Sequence, residues 1–273
     1  EGVLPLVRQR RRVRRVPDHR HLGLGGEGGG GGLWGEIKTH PEYATYLLGT
    51  GGTWFLYDVS YYGTSIFLPL MLRTIFDDTP DAPPGGGRGV LGSVAVAGDG
   101  GLITQCWHAI LVTALGIPGC IAAILLMAPP RGPRAVLVLG FALMSAAFTV
   151  TGLAMWWAPT NKALSIAMLC VVSFAINCGP NVATYVLPTV IYHSEVKATF
   201  HGFSAGCGKL GAVVGTFLYA PILDLYGLPA VMFTQAAVSV LAGILALATI
   251  PPDDHPADCS AADAAEALLL DTA

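Results

Sequence analysis

The sequence predicts an all-α polytopic membrane protein with six transmembrane helices. Hydrophobic residues make up 53% of the chain and charged residues only 12%, whereas about a quarter of the residues are charged in soluble globular domains. Six apolar segments each approach or exceed the roughly 20 residues that a membrane helix needs. They cover about 45–72, 102–128, 135–157, 163–188, 202–226 and 228–250.

The charges divide the chain into three regions. Seven arginines lie in the first twenty residues and a glycine tract follows, so residues 1–44 are predicted to be a mobile cytoplasmic segment that cannot bury a core. Residues 45–250 form the predicted six-helix transmembrane bundle. Residues 251–273 carry six acidic side chains and no Lys or Arg, which predicts an acidic cytoplasmic tail.

The basic tract also bears on partners and orientation. Such a tract can bind nucleic acid, but beside a membrane domain it is more typical of an anchor facing anionic lipid, so we expect a lipid bilayer and no nucleic acid. If the first helix enters from the cytoplasm, eleven Lys and Arg lie inside and three outside, which predicts that both termini are cytoplasmic. Without the N-terminal arm the count is three to three, so the prediction depends on that arm.

Two opposite charges lie deep in apolar segments. Lys209 falls near the middle of the segment 202–226, and Asp58 lies inside the first segment. A buried ammonium in a bilayer costs several kcal/mol or more, so such a residue is a functional candidate. The pair therefore predicts an anion or proton site between two transmembrane helices.

Polar side chains share helix faces with these charges. Trp54, Asp58 and Tyr62 recur every four residues, which predicts a polar stripe facing a cavity; the alternative is aromatic packing with an acid that reaches the helix end. Asn177 and Asn181 also share a face on either side of a Gly-Pro break, which predicts ligand contact, although Asn177 is nearly as well explained as a hydrogen bond between helices.

The fifth segment is rich in small residues and contains two patterns that imitate enzyme motifs. Its glycines form overlapping small-xxx-small patterns, which predict close helix approach and tightly packed backbones around Lys209. The stretch 202–206 fits a nucleophile elbow and 206–211 fits a dinucleotide-binding pattern, but both need a strand and a tight turn. We therefore expect no enzyme and no cofactor. The six cysteines include no CxxC pair, so no metal site is expected.

Three ordered motifs carry a family resemblance. The stretches Thr53-Trp-Phe-Leu-Tyr-Asp-Val-Ser-Tyr-Tyr62, Gly179-Pro-Asn-Val-Ala-Thr-Tyr185 and His201-Gly-Phe-Ser-Ala-Gly-Cys-Gly-Lys209 resemble the phosphate:proton symporters of the major facilitator superfamily. The likeness covers about residues 45–250 and implies helices seven to twelve, one half of a major facilitator fold, with residues 1–44 as the central loop. It also implies that phosphate is bound by Trp54, Asp58, Tyr62, Asn181 and Lys209.

The resemblance implies inorganic phosphate transport by proton symport, with alternating access around a site near the midplane. We expect Asp58 to couple the proton, because apolar surroundings favour its neutral form and Lys209 favours its charged form. Expected partners are phosphate, protons and either the missing N-terminal six-helix half or a second copy, and the expected location is the plasma membrane. The alternatives are another organic-anion or sugar carrier, or a non-transporting half that acts as a phosphate receptor or assembly subunit.

Overall fold

The computed structural model describes residues 33–76, 99–128, 131–193 and 195–253. The predicted basic segment up to residue 32 and most of the predicted acidic tail lie outside these ranges. Every regular element in the described ranges is an α-helix, so the predicted all-α class is confirmed. The helices are α1 (Leu33–Thr39), α2 (Glu42–Phe76), α3 (Asp99–Ala114), α4 (Gly116–Leu126), α5 (Pro133–Trp157), α6 (Lys162–Asn177), α7 (Pro180–Ile191) and α8 (Lys197–Thr249).

Two of the predicted membrane segments are interrupted helices. The α3/α4 segment is interrupted at Leu115, and α6 gives way to α7 at Gly179, whose φ of 130° few residues other than glycine adopt. Helix α5 packs directly against the second break: a Cβ on Gly140 would lie 2.4 to 3.0 Å from atoms of Pro180, Gly179 and Cys178. Breaks of this kind are tolerated at membrane depth where protein surrounds them, as α5 does at Gly179.

The 53-residue helix α8 consists of two helices that fold back on one another. Gly227 has φ 77° and ψ −179°, a non-helical conformation that is essentially restricted to glycine, and it separates a first half (197–226) from a second half (228–249). Contacts with α2 give the directions of the two halves. In contacts with the first half, residue numbers increase along both helices, so α2 and the first half are parallel (Thr50 with Ser204, Val59 with Gly215, Gly63 with Tyr219). In contacts with the second half, residue numbers increase along one helix and decrease along the other, so these two are antiparallel (Thr64 with Gln235, Gly52 with Leu245, Gly49 with Thr249).

Four helical stretches are long and apolar enough to cross a membrane, namely Ile103–Leu126, Pro133–Trp157, Lys162–Ile191 and Lys197–Thr249. The last stretch contains two crossings because the chain reverses at Gly227. Helix α2 is not among the four, although its 35 residues span roughly 52 Å at 1.5 Å per residue, well beyond the hydrocarbon thickness. The polar residues of α2, including Asp58, distinguish it from the other helices.

The core lies between α2, α5, α6 and α8, with the most extensive packing between α2 and α8. Its fully buried side chains include Met71, Leu72, Phe141, Phe148 and Met232. A smaller cluster joins the beginning of α2, the end of α7 and the beginning of α8 through Tyr43, Leu47, Tyr192 and Phe200. These contacts bring the ends of three helices together at one end of the bundle.

Candidate substrate site between α2 and α8

A glycine seam, formed by Gly208, Gly211 and Gly215, brings the first half of α8 against α2. A Cβ on Gly208 would lie 2.5 Å from the Trp54 ring, and a Cβ on Gly211 or Gly215 would overlap a main-chain carbonyl of α2. Real Cβ atoms do not approach this closely, so only glycine fits at these positions. The predicted small-xxx-small pattern therefore corresponds to direct backbone contact between the two helices.

The seam brings together the two charges that the sequence singled out. The Nζ of Lys209 lies 3.7 Å from Oδ2 of Asp58 and donates a hydrogen bond of 3.2 Å to the hydroxyl of Tyr62. The same ammonium lies 5.2 Å from the centre of the Tyr62 ring, within the range of a cation–π contact. Asp58 and Tyr62 are one helical turn apart on α2, so one lysine contacts both.

The two members of the ion pair differ sharply in exposure. The side chain of Asp58 is 5% exposed, whereas that of Lys209 is 67% exposed. The expectation that tightly packed backbones enclose Lys209 is therefore wrong for this chain. Gly208 and Gly211 occupy the face of α8 that meets α2, and Lys209, about 100° around the helix from Gly208, points toward the surface. We call this surface, where Tyr185 and Lys209 are exposed, the open face.

Trp54 lies one turn before Asp58 and is 9% exposed. Its ring packs edge-to-face against Tyr185 and His201, with centroid distances of 6.1 and 5.6 Å. Tyr185 and His201 also contact each other edge-to-face at 4.9 Å. The three rings form a cluster that joins α2, α7 and α8 beside the ion pair, which we call the aromatic cluster.

Asn181 points to a different group of side chains. Its Nδ2 donates to Oδ1 of Asn177 at 2.6 Å and to the sulfur of Cys120 at 3.6 Å. Asn177 in turn donates to the carbonyl of Ser173 at 2.8 Å. The described contacts therefore join Trp54, Asp58, Tyr62 and Lys209 in one site, while Asn181 approaches that site through Tyr185, one turn further along α7.

Sequence reasoning gave no role to two members of the aromatic cluster. Tyr185 and His201 both stand inside the family-like motifs, and helical spacing relates Tyr185 to Asn181 and His201 to Lys209. Helical spacing could therefore have suggested both residues as site candidates. It could not assign them to one cluster, because spacing within one helix does not reveal which neighbouring helix a side chain meets.

No metal-binding group is found in the described ranges. There, no three His, Cys, Asp or Glu side chains come close enough to hold an ion, and five cysteines are unpaired. Gly202 to Gly211, the part that imitates two enzyme motifs, lies within continuous helix. A strand and turn, which both motifs require, are absent from that stretch.

Comparison with known proteins gives the family. The family model described as sugar (and other) transporter matches residues 93–252, more than half of the chain. The chain belongs to this family. The predicted membership of the major facilitator superfamily is thus confirmed, and the all-helical bundle fits one half of that fold.

Several curated transporters are similar to the chain. An inorganic phosphate transporter of Toxoplasma gondii is 29% identical over 212 residues, which are 77% of this chain and 34% of that protein. An inorganic phosphate transporter of Oryza sativa is 32% identical over 237 residues (81% and 41%), and one of Saccharomyces cerevisiae is 28% identical over 183 residues (67% and 28%). The chain thus spans about a third of the length of these relatives.

Proposed function

We propose that the chain forms the C-terminal half of an inorganic phosphate transporter driven by proton symport. Three similar proteins that are named inorganic phosphate transporters support this proposal. The decisive observation is the ammonium of Lys209 on the open face, beside the hydroxyl of Tyr62 and the buried carboxyl of Asp58. In this proposal the open face meets the other half of the transporter, and phosphate binds between the halves.

Lys209 supplies the positive charge that phosphate requires. An ammonium bound to an oxyanion makes charge-assisted hydrogen bonds, which are about twice as strong as neutral ones. Tyr62 already contacts the ammonium, and its hydroxyl can donate to the same anion. The Trp54 indole provides a further neutral N–H one turn away. Asn181 joins the site when α7 moves toward α2, since it already lies one turn from Tyr185.

Asp58 couples the substrate to a proton through its contact with Lys209. Phosphate and the Asp58 carboxylate compete for one ammonium, so Asp58 is protonated when phosphate takes its place. On the inner side phosphate leaves, Asp58 releases its proton and the pair with Lys209 forms again. In an alternative mechanism Asp58 stays charged and accepts the P–OH proton of phosphate, a contact that sulfate cannot make because it carries no proton at neutral pH.

The chain is oriented in this proposal with the beginning of α2 at the cytoplasmic face of the plasma membrane. Lys162 donates to the carbonyl of Phe76, so the end of α2 and the beginning of α6 share one end of the bundle. At the opposite end, Asp253 accepts hydrogen bonds from the backbone of Arg134 and Ala135. Among described residues, four cationic side chains lie at that opposite end and two at the Phe76 end, in agreement with the positive-inside rule. These are Lys38, Arg131, Arg134 and Lys197 against Arg73 and Lys162.

The proposal is tested in a chimaera in which residues 33–253 replace the aligned segment of the yeast phosphate transporter. We expect proton-dependent uptake of radiolabelled phosphate in yeast cells that lack their own carriers. Lys209→Gln should abolish uptake, while Lys38→Gln, which removes an exposed lysine of α1, should leave it intact. Uptake that survives Lys209→Gln at equal surface expression would contradict the proposed site.

Asp58→Asn distinguishes the two mechanisms in the same chimaera. If Asp58 carries the proton, phosphate exchange survives the substitution but accumulation driven by a pH gradient is lost. If Asp58 accepts the P–OH proton, phosphate affinity falls and sulfate becomes a competitor. If neither coupling nor selectivity changes, Asp58 has a structural role. A chimaera that binds phosphate without moving it across the membrane supports a receptor instead of a carrier.

A further inference from the structure

In the aromatic cluster of Trp54, Tyr185 and His201, the hydrogen-bonding groups of Tyr185 and His201 are not used by the central site. The Nδ1 of His201 is buried and has no hydrogen-bond partner in the described part of the chain. A buried polar atom without a partner is energetically unfavourable, so such an atom indicates a ligand or a water molecule. The neighbouring rings add an indole N–H and a phenol O–H. The Asp58 carboxylate approaches only the Trp54 side of the cluster, where a Cβ on Gly208 would meet both Trp54 Nε1 and Asp58 Oδ2.

The chemistry of this cluster suits an oxyanion. Imidazole, indole and phenol can each direct an N–H or O–H toward one acceptor. Tyr185 is 59% exposed, so an anion can reach the cluster from the open face. The carboxyl of Asp58 is directed at Lys209, and the described ring contacts of His201 involve only Trp54 and Tyr185.

Two lysines of α8 flank the cluster along the helix axis. His201 lies four residues after Lys197 and eight before Lys209, so it is about 40° around the helix from Lys197 and about 80° from Lys209. Lys197 and Lys209 are roughly 18 Å apart along the axis, and His201 lies between them. Lys197 begins α8, next to the end of α7, so the three side chains are distributed from the central site to one end of the bundle.

We propose that His201, Tyr185 and Trp54 form a second phosphate-binding position between Lys209 and the cytoplasmic end of α8. This inference rests on the proposed function, which supplies the ligand and the direction of travel. A phosphate that leaves Lys209 is bound by these donors before it reaches Lys197. Two positions in series lower the barrier to release, because the anion exchanges Lys209 and Tyr62 for His201 and Tyr185 while the Trp54 N–H is common to both positions.

The test uses the chain itself in lipid nanodiscs, with 15N-labelled imidazoles observed by NMR. Inorganic phosphate is added at constant pH and ionic strength, with chloride as the balancing anion, and the His201 signal is assigned with His201→Gln. We expect a saturable shift of His201 and no shift of His108, which stacks on Phe76 near the opposite end of α2. Tyr185→Phe keeps the ring but removes one donor, so it should weaken phosphate binding about fivefold to tenfold.

Lys209→Gln separates the two positions. If the second position exists, the His201 signal still saturates with phosphate in Lys209→Gln. A shift that disappears in this variant, or the absence of any saturable shift in the unmodified chain, would overturn the inference. Phosphate uptake by the chimaera together with a silent His201 would refute the second position alone. A responsive His201 in a chimaera that does not transport would instead refute the proposed function.

Discussion

The two halves of α8 pack on the same helix in different ways. In the first half, Gly211 and Gly215 of α8 contact backbone carbonyls of α2 at Phe55 and Val59. Gly208 of α8 meets the Trp54 ring, and Gly63 of α2 meets the Tyr219 ring. In the second half the glycines belong to α2, and they contact side chains of α8: a Cβ on Gly52 would lie 2.6 Å from a terminal methyl of Leu245. The closest contacts of the first half are therefore made to main chain or to buried aromatic rings, and those of the second half to flexible side chains.

This difference explains why the charges lie where they do. Main chain against main chain allows little adjustment, so the glycines on either side fix the backbone positions of Lys209 and Asp58 relative to each other. The polar contact in the second half is neutral, a hydrogen bond of 2.9 Å between Thr64 and Gln235. The first half of α8 thus forms a rigid site, and the second half forms an adaptable support.

The largest expected effect comes from filling the glycine seam. Gly211→Leu inserts a branched side chain against the carbonyl of Phe55, an atom that cannot move without displacing α2. We expect the chain to lose its folded state, because overpacking against main chain costs at least about 1–3 kcal/mol even for smaller additions. Size-exclusion chromatography in detergent, with thermal unfolding, measures the loss.

Gly206→Leu is the matched control for this substitution. Gly206 lies on the same helix, and a Cβ there would meet no atom within 4 Å. The control should elute as a single species and unfold at nearly the original temperature. Equal damage from both variants would show that any large residue disrupts α8, and the seam would lose its special role.

Removal of Lys209 from the ion pair should reduce the free energy of unfolding more than removal of Asp58. Lys209→Gln leaves the carboxylate of Asp58, which is 5% exposed, without its counter-charge, and we expect a loss of about 2–3 kcal/mol in the free energy of unfolding. Asp58→Asn leaves a lysine that is 67% exposed and well solvated, so its cost should be less than half as large. Chemical denaturation of each variant at neutral pH measures both.

The double variant Asp58→Asn with Lys209→Gln tests whether the uncompensated carboxylate causes the loss of stability in Lys209→Gln. It should be about as stable as Asp58→Asn alone, because the uncompensated carboxylate is gone. If Lys209→Gln and Asp58→Asn reduce stability equally and additively, the ion pair contributes nothing through burial. The rigid site would then be held by the glycine seam alone.

Substitution of Gly227, where the two halves of α8 reverse direction, should reduce stability less than the changes above. With φ 77° and ψ −179°, Gly227→Ala imposes backbone strain, although the new Cβ would contact only Pro229 at 3.8 Å. We expect a loss of about 1–2 kcal/mol. Gly243→Ala in the second half, where the nearest atom would be 3.5 Å away, should be neutral or slightly stabilising. Equal stability of the two variants would contradict a strained turn.

Sequence patterns predicted the components of the site but not their arrangement. The charges of Asp58 and Lys209 are conspicuous in apolar segments, and the glycines of α8 predict close contact with some helix. The two charges predict that their helices meet, but that α2 and the first half of α8 run parallel depends on the packing of all the other helices. The exposure of Lys209 follows from this choice, since the seam faces α2 and turns the lysine outward.

Asn181 illustrates the same limit. Its spacing from Asn177 correctly identified a shared face, because helical geometry is local. Which groups lie opposite that face is a tertiary property, and the structure brings Cys120 of α4 there. The pairing with Asn177 corresponds to the alternative of hydrogen bonding within the bundle, and it leaves the contact of Asn181 with phosphate as a prediction.

The smallest effect on stability is expected at Gly52 of α2, which packs against the second half of α8. Gly52→Ala places a methyl group 2.6 Å from one methyl of Leu245, while the next atom is 3.9 Å away. A rotation of the leucine side chain relieves the contact, so the loss should be below about 1 kcal/mol, and helix propensity offsets part of it. A double-mutant cycle with Leu245→Ala measures the coupling, because without the leucine methyls Gly52→Ala should cost nothing.

Gly208→Ala, which meets the buried Trp54 ring at 2.5 Å, is the comparison in the first half and should cost more. If Gly52→Ala proves as damaging as Gly208→Ala, the second half of α8 is as rigid as the first, and the contrast between site and support does not hold.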